Sequence, residues 1–172
     1  MILDKILRTK VEEVAAAKER EPLCELSRRI GDLEDQPRGF ARALRQRSAA
    51  GIAIIAEVKK GSPSKGIIRV DFDPLEIAQS YQRAGATCLS VLTDEQYFYG
   101  SLDYLGQIRD IVELPLLRKD FIIDPYQVYQ ARLAGADAVL LIAAALTDEQ
   151  LREFSELARE LRLDTLLEIH DA

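Results

Sequence analysis

Ala84-Gly85-Ala86-Thr87-Cys88-Leu89-Ser90-Val91-Leu92 and, fifty residues on, Ala134-Gly135-Ala136-Asp137-Ala138-Val139-Leu140-Leu141-Ile142 are two versions of one pattern. In each, a helical segment closes on Ala-Gly, two residues turn the chain, and an apolar run follows. Glycine supplies the left-handed backbone that stops a helix. A short apolar run bounded by turn residues reads as a buried strand. The echo is therefore a repeated βα unit, and its glycines are turn and packing residues, not phosphate binders.

Working outward, similar runs at 52–57, 114–118 and 165–169 join those at 87–92 and 138–142, at intervals of about 23 to 35 residues. Little polar alternation marks them, as expected for strands covered on both faces. The helices between them announce their starts. Asp73-Pro74-Leu75-Glu76 combines an acidic cap, a proline at the first helical position and a carboxylate at the third. Asp124-Pro125 opens the same way, and Thr147-Asp148-Glu149-Gln150 is a capping box. Five such strands suit either an open doubly wound sheet or a (βα)8 barrel truncated after its fifth strand, since five cannot close one.

Residues 1–50 differ in texture. Leu3, Leu7, Val11 and Val14 recur at helical spacing, Pro22 closes that helix, and shorter helices follow over 23–30 and 40–47. We expect a helical extension over 1–50 and strands one to five of a partial barrel over 51–172.

The formal charge of −6 argues against nucleic acid as a partner, because a phosphate backbone selects a basic surface. No apolar run approaches the roughly 18 residues of a membrane span, and Met1-Ile2-Leu3-Asp4-Lys5 leads straight into an amphipathic pattern instead of a signal peptide. Cys24 and Cys88 lack metal-type spacing, and Cys88 reads as a plain buried thiol. A reducing cytoplasm fits.

Ionisable groups gather at the carboxyl ends of the strands: Glu57 and Lys59, then Thr93-Asp94-Glu95, then Arg118-Lys119-Asp120, then Glu168-Ile169-His170. Strand starts carry few. In an α/β barrel the carboxyl ends form the active-site face. Side chains alternate along a strand, so Glu57 and Lys59 share a face. Glu57, Lys59, Lys119 and Glu168 would meet there as two cations and two carboxylates, able to bind an anion, donate a proton and accept one. The alternative is a structural salt-bridge network at the rim. His170, the single histidine, reads as a solvated or hydrogen-bonded strand-end residue. Tyr97-Phe98-Tyr99 walls a ligand or packs the lip.

Glu57-Val58-Lys59-Lys60-Gly61-Ser62-Pro63-Ser64-Lys65-Gly66 resembles the signature of indole-3-glycerol-phosphate synthase. Ser90-Val91-Leu92-Thr93-Asp94, Leu117-Arg118-Lys119-Asp120-Phe121-Ile122 and Leu167-Glu168-Ile169-His170 resemble that family's motifs too, in order and at compatible spacing. The resemblance implies a (βα)8 TIM barrel with an N-terminal helical extension. It also implies ring closure with decarboxylation and dehydration of 1-(2-carboxyphenylamino)-1-deoxyribulose 5-phosphate, in tryptophan biosynthesis, without metal or organic cofactor. By motif, Lys119 resembles the general acid, and Glu57 and Glu168 the carboxylates that handle protons. Lys59 resembles the residue holding the substrate anion, Ser62 one that helps with phosphate, and Phe98 one lining the anthranilate pocket. The family's sixth to eighth strands, with much of its phosphate grip, have no counterpart in these residues. We therefore expect inactivity without complementation and self-association through open sheet edges. The competing readings are another phosphate-binding barrel, such as an aldolase with Lys119 as Schiff-base nucleophile, and a non-catalytic half-barrel scaffold.

Overall fold

A computed structural model describes residues 2–169. Three helices come first: α1 (Ile2–Arg20), α2 (Leu23–Gly31) and α3 (Phe40–Ala50). Strand β1 (Ile55–Val58) follows, then a small hairpin of β2 (Gly61–Ser62) and β3 (Gly66–Ile67). From there helix and strand alternate: α4 (Pro74–Arg83), β4 (Cys88–Leu92), α5 (Asp103–Arg109), β5 (Leu116–Lys119), α6 (Pro125–Leu133), β6 (Ala138–Ile142), α7 (Asp148–Glu160) and β7 (Asp164–Glu168).

The capping signals act as read. Asp73 accepts from the backbone N–H groups of Leu75 and Glu76, and Asp124 and Thr147 form capping boxes with Gln127 and Gln150. Gly85 and Gly135 take φ of +86° and +87° after α4 and α6, a left-handed turn that a side chain would disfavour.

The five long strands pair in parallel in the order β1-β4-β5-β6-β7. A doubly wound sheet reverses its strand order at a switch point. Here every unit adds its strand beside the previous one, so the sheet is an arc of five strands of a (βα)8 barrel. Its two faces confirm this. Leu89, Val91, Leu116, Val139 and Leu141 pack outward against Ile77, Leu105, Ile108, Val128, Phe154 and Ala158 of the surrounding helices. Cys88, Leu117, Ala138, Leu140 and Ile142 line the inner face.

Helix α3 closes the amino end of that inner face. Phe40 packs against Cys88, Leu117 and Ala138, and the Ala41 N–H donates to Asp164 Oδ2 at 2.9 Å. The Cys88 thiol is fully buried and donates to the Phe40 carbonyl at 3.7 Å. Burial, and then the charges of Asp137 and Asp164, push it up to about 12, so it is an inert core thiol.

Three expectations need correction. The first strand begins at Ile55, not Ile52, and Ile52 and Ile54 are 79% and 50% exposed. Among the described residues β1 and β7 each pair with one strand, so full burial holds for β4 and β6 but not for these edges. Helix α1 buries Ile6, Lys10 and Val14 and turns Val11 outward, because Lys10 has partners in the barrel. His170 lies outside the described residues.

Candidate active site

The pleat sorts the strand-end charges into two groups. Glu57 is in register with Ser90, Ser90 with Leu117, Leu92 with Lys119, and Ile142 with Glu168, all on the inner face. Lys59 follows Glu57 by two residues and returns to the same side. The head groups form a chain across the mouth. Lys59 Nζ lies 2.9 Å from Glu57 Oε1, Lys119 Nζ 3.8 Å from Glu57 Oε2, and Lys119 Nζ 3.4 Å from Glu168 Oε2. Their side chains are 29% to 35% exposed, open enough for a ligand and sheltered enough to strengthen charge interactions. A cavity of about 250 Å³ has these carboxylates and Lys119 at its rim and Leu117, Leu140 and Leu166 below. Larger clefts of about 560 and 530 Å³ run among the outer helices. The small cavity is the one that the inward charges Glu57, Lys119 and Glu168 line, whereas Thr93, Glu95, Arg118 and Asp120 line the 530 Å³ cleft beside α1.

Ser62 and Phe98 follow the carboxyl ends of β1 and β4, and neither lines this cavity. Ser62 lies on the hairpin after β1, its Oγ 3.4 Å from that of Ser64. Phe98 follows β4, half-buried, with its ring 5.9 Å from that of Phe121, which itself packs on the inner-face cluster. Tyr97 points the other way: it is buried, and its hydroxyl meets that of Thr9 in α1 at 2.8 Å.

Arg118, Asp120, Thr93 and Asp94 belong to a second, outward cluster. Arg118 donates to Asp120 Oδ2 at 3.0 Å, to Thr93 Oγ1 at 3.2 Å and to the Gln127 carbonyl at 2.7 Å. Lys10 reaches in from α1, only 3% exposed, with Nζ 2.8 Å from Asp94 Oδ2, 3.1 Å from Asp120 Oδ1 and 2.7 Å from Glu13. Burial alone would push the Lys10 ammonium down, but Asp120 and Asp94 outweigh it and hold its pKa above the ordinary lysine value. Burial likewise raises Asp120, yet Arg118, Lys10 and the Thr93 hydroxyl bring it down to about 2. Asp94 Oδ1 in turn accepts from the N–H groups of Tyr97 and Phe98, at 2.7 and 3.0 Å. The cluster thus ties α1 to the two loops that follow β4 and β5. Sequence reasoning missed Lys10. Its signal was a lysine at i+4 between Ile6 and Val14, in the middle of an apolar stripe. Among the described residues no three His, Cys, Asp or Glu side chains converge to hold a metal.

A profile of the indole-3-glycerol phosphate synthase family matches residues 3–172. The chain belongs to the indole-3-glycerol phosphate synthase family. Two curated relatives bear that name. The protein of Laribacter hongkongensis is 55% identical over 172 residues, and that of Neisseria meningitidis serogroup B is 57% identical over 171 residues. Each alignment covers 99% of this chain and 65% of the relative, so the chain spans just under two thirds of their length. Family membership accounts for the barrel arc.

Proposed function

We propose that this chain supplies the acid–base apparatus of an indole-3-glycerol phosphate synthase, a carboxy-lyase of tryptophan biosynthesis. The observation that carries the reading is Lys119 Nζ lying between Glu57 and Glu168, at 3.8 and 3.4 Å, over an apolar cavity. The substrate is 1-(2-carboxyphenylamino)-1-deoxyribulose 5-phosphate. Its carboxylate-bearing ring carbon bonds to the C2 carbonyl carbon while Lys119 gives a proton to the carbonyl oxygen. Carbon dioxide then leaves the ring carbon and restores the aromatic ring. Finally the C2 hydroxyl departs as water, with one proton added to it and one removed from C1. Glu57 and Glu168 handle these protons, and a positioned acid or base of this kind is worth about 10² to 10⁴ in rate.

Lys59 holds the substrate anion, Ser62 contributes to the phosphate end, and Phe98 with Phe121 flanks the anthranilate ring. No metal or organic cofactor has a role in this scheme. A cytoplasmic setting suits two free cysteines, Cys24 and Cys88. No helix among the described residues is long and apolar enough to cross a membrane.

The test joins these residues to the remaining third of the family length, taken from the Neisseria meningitidis relative, and follows indole fluorescence on adding the substrate. Turnover is expected, together with its loss in the Lys119→Met variant. A Lys119→Met protein as active as its parent would overturn the reading. The 172 residues alone are expected to be inactive, because their site is walled on one side of the barrel axis only.

A further inference from the structure

Ser90 lies on the inner face of β4, in register with Glu57 on one side and Leu117 on the other. It is 5% exposed and lines the same cavity as Glu57, Lys119 and Glu168. Its Oγ has no hydrogen-bond partner among the described residues.

That is unusual in this chain. Three residues on, Thr93 is equally buried, yet its hydroxyl donates to Asp120 at 2.6 Å and accepts from Arg118 at 3.2 Å. Buried polar groups are almost always paired, and a native exception calls for a reason. Packing provides none, since the neighbours at this depth are Leu117, Leu140 and Leu166, among which an alanine would serve as well. Two residues further along the same face, Leu92 is in register with Lys119, so Ser90 sits one side-chain layer beneath the lysine.

We propose that Ser90 Oγ donates a hydrogen bond to the substrate oxygen that Lys119 protonates. This rests on the synthase reading above. An oxygen held under Lys119 Nζ and pressed toward the leucines meets the Ser90 hydroxyl from below. As the carbonyl carbon is attacked, negative charge grows on that oxygen, and a donor fixed in a sheltered site stabilises the charge more than it does the neutral carbonyl. Ser90 transfers no proton; the proton comes from Lys119. The unpaired state of the hydroxyl is the cost of having a donor in place before the substrate arrives.

The test uses Ser90→Ala and Ser90→Cys in the joined, full-length protein, with turnover and thermal unfolding measured on the same samples. For Ser90→Ala we expect kcat to fall roughly 10- to 100-fold, between the effect of an ordinary hydrogen bond and that of a preorganised oxyanion donor. KM should stay within about threefold, since the bond strengthens in the transition state, and Tm should be unchanged or higher. Ser90→Cys, a weaker donor of similar size, should fall between wild type and Ser90→Ala. Turnover by Ser90→Ala within about twofold of wild type overturns the proposal alone, as does a loss confined to KM or one matched by a lowered Tm in both variants. A wild-type protein that does not process the substrate overturns the synthase reading and this proposal with it.

Discussion

Arg118 and Lys119 are adjacent cations with opposite environments. The pleat sends Arg118 outward into hydrogen bonds with Asp120, Thr93 and Gln127, and Lys119 inward between Glu57 and Glu168. Their places at or just past strand carboxyl ends made Glu57, Lys59, Lys119 and Glu168 legible as one set, and period-two alternation put Glu57 and Lys59 on one face. Replacing Lys119 by Met should lower kcat in the joined protein by at least about 100-fold while leaving unfolding nearly unchanged, which paired kinetics and urea titration would check. Asp120 titrates on the other side of the sheet. Its folded pKa, about 2, lies below its ordinary value of 3.8. The native state therefore binds fewer protons than the unfolded chain in that window. The stabilisation is fully present above about pH 4 and is lost as pH falls toward 2, an effect of order 2 kcal/mol. Urea titrations at pH 5 and pH 2.5 should show it, and Asp120→Asn should flatten the difference. Ser90 was not legible, since a serine within an apolar run looks the same whether or not its hydroxyl is paired.

At the scale of elements, α1 shows how far a helical pattern can be read. Its existence and length followed from spacing and from Pro22, but the face it buries did not. Leu3, Leu7, Val11 and Val14 suggested one stripe; the docked helix buries Val14 but turns Val11 out, at 60% exposure, and buries Lys10 against Asp94 and Asp120. Those carboxylates are 84 and 110 positions away along the chain, so no local window contains them. Lys10→Met would leave two buried carboxylates short of their cation and should cost about 3 to 5 kcal/mol, measured by urea unfolding. The α7 cap is a purely local device, and it was read correctly. Thr147→Ala removes the acceptor for the Gln150 N–H, at 3.2 Å, and should cost about 1 kcal/mol in the same experiment.

For the molecule as a whole, the decisive property is that, among the described residues, the sheet is an arc with two edges. Ile52, Ile54 and Ile55 are exposed along one edge and Leu167 and Ile169 along the other, and unpaired strand edges invite further strands. We expect the 172-residue polypeptide, expressed by itself, to self-associate in sedimentation or light-scattering measurements. A dispersed monomer at high concentration would contradict this. The count of parallel strands, the helix caps, the glycine turns and the inward charges were all determined by the amino-acid sequence, because each depends on contacts or periodicities within a few residues. Tertiary structure decided between the two architectures that five strands left open, by setting them side by side without a switch point, and it alone showed that α1 turns Val11 outward and that Lys10 pins the two loops beside the cavity. Those features depend on groups distant in the chain meeting in space, and no periodicity records which distant groups will meet.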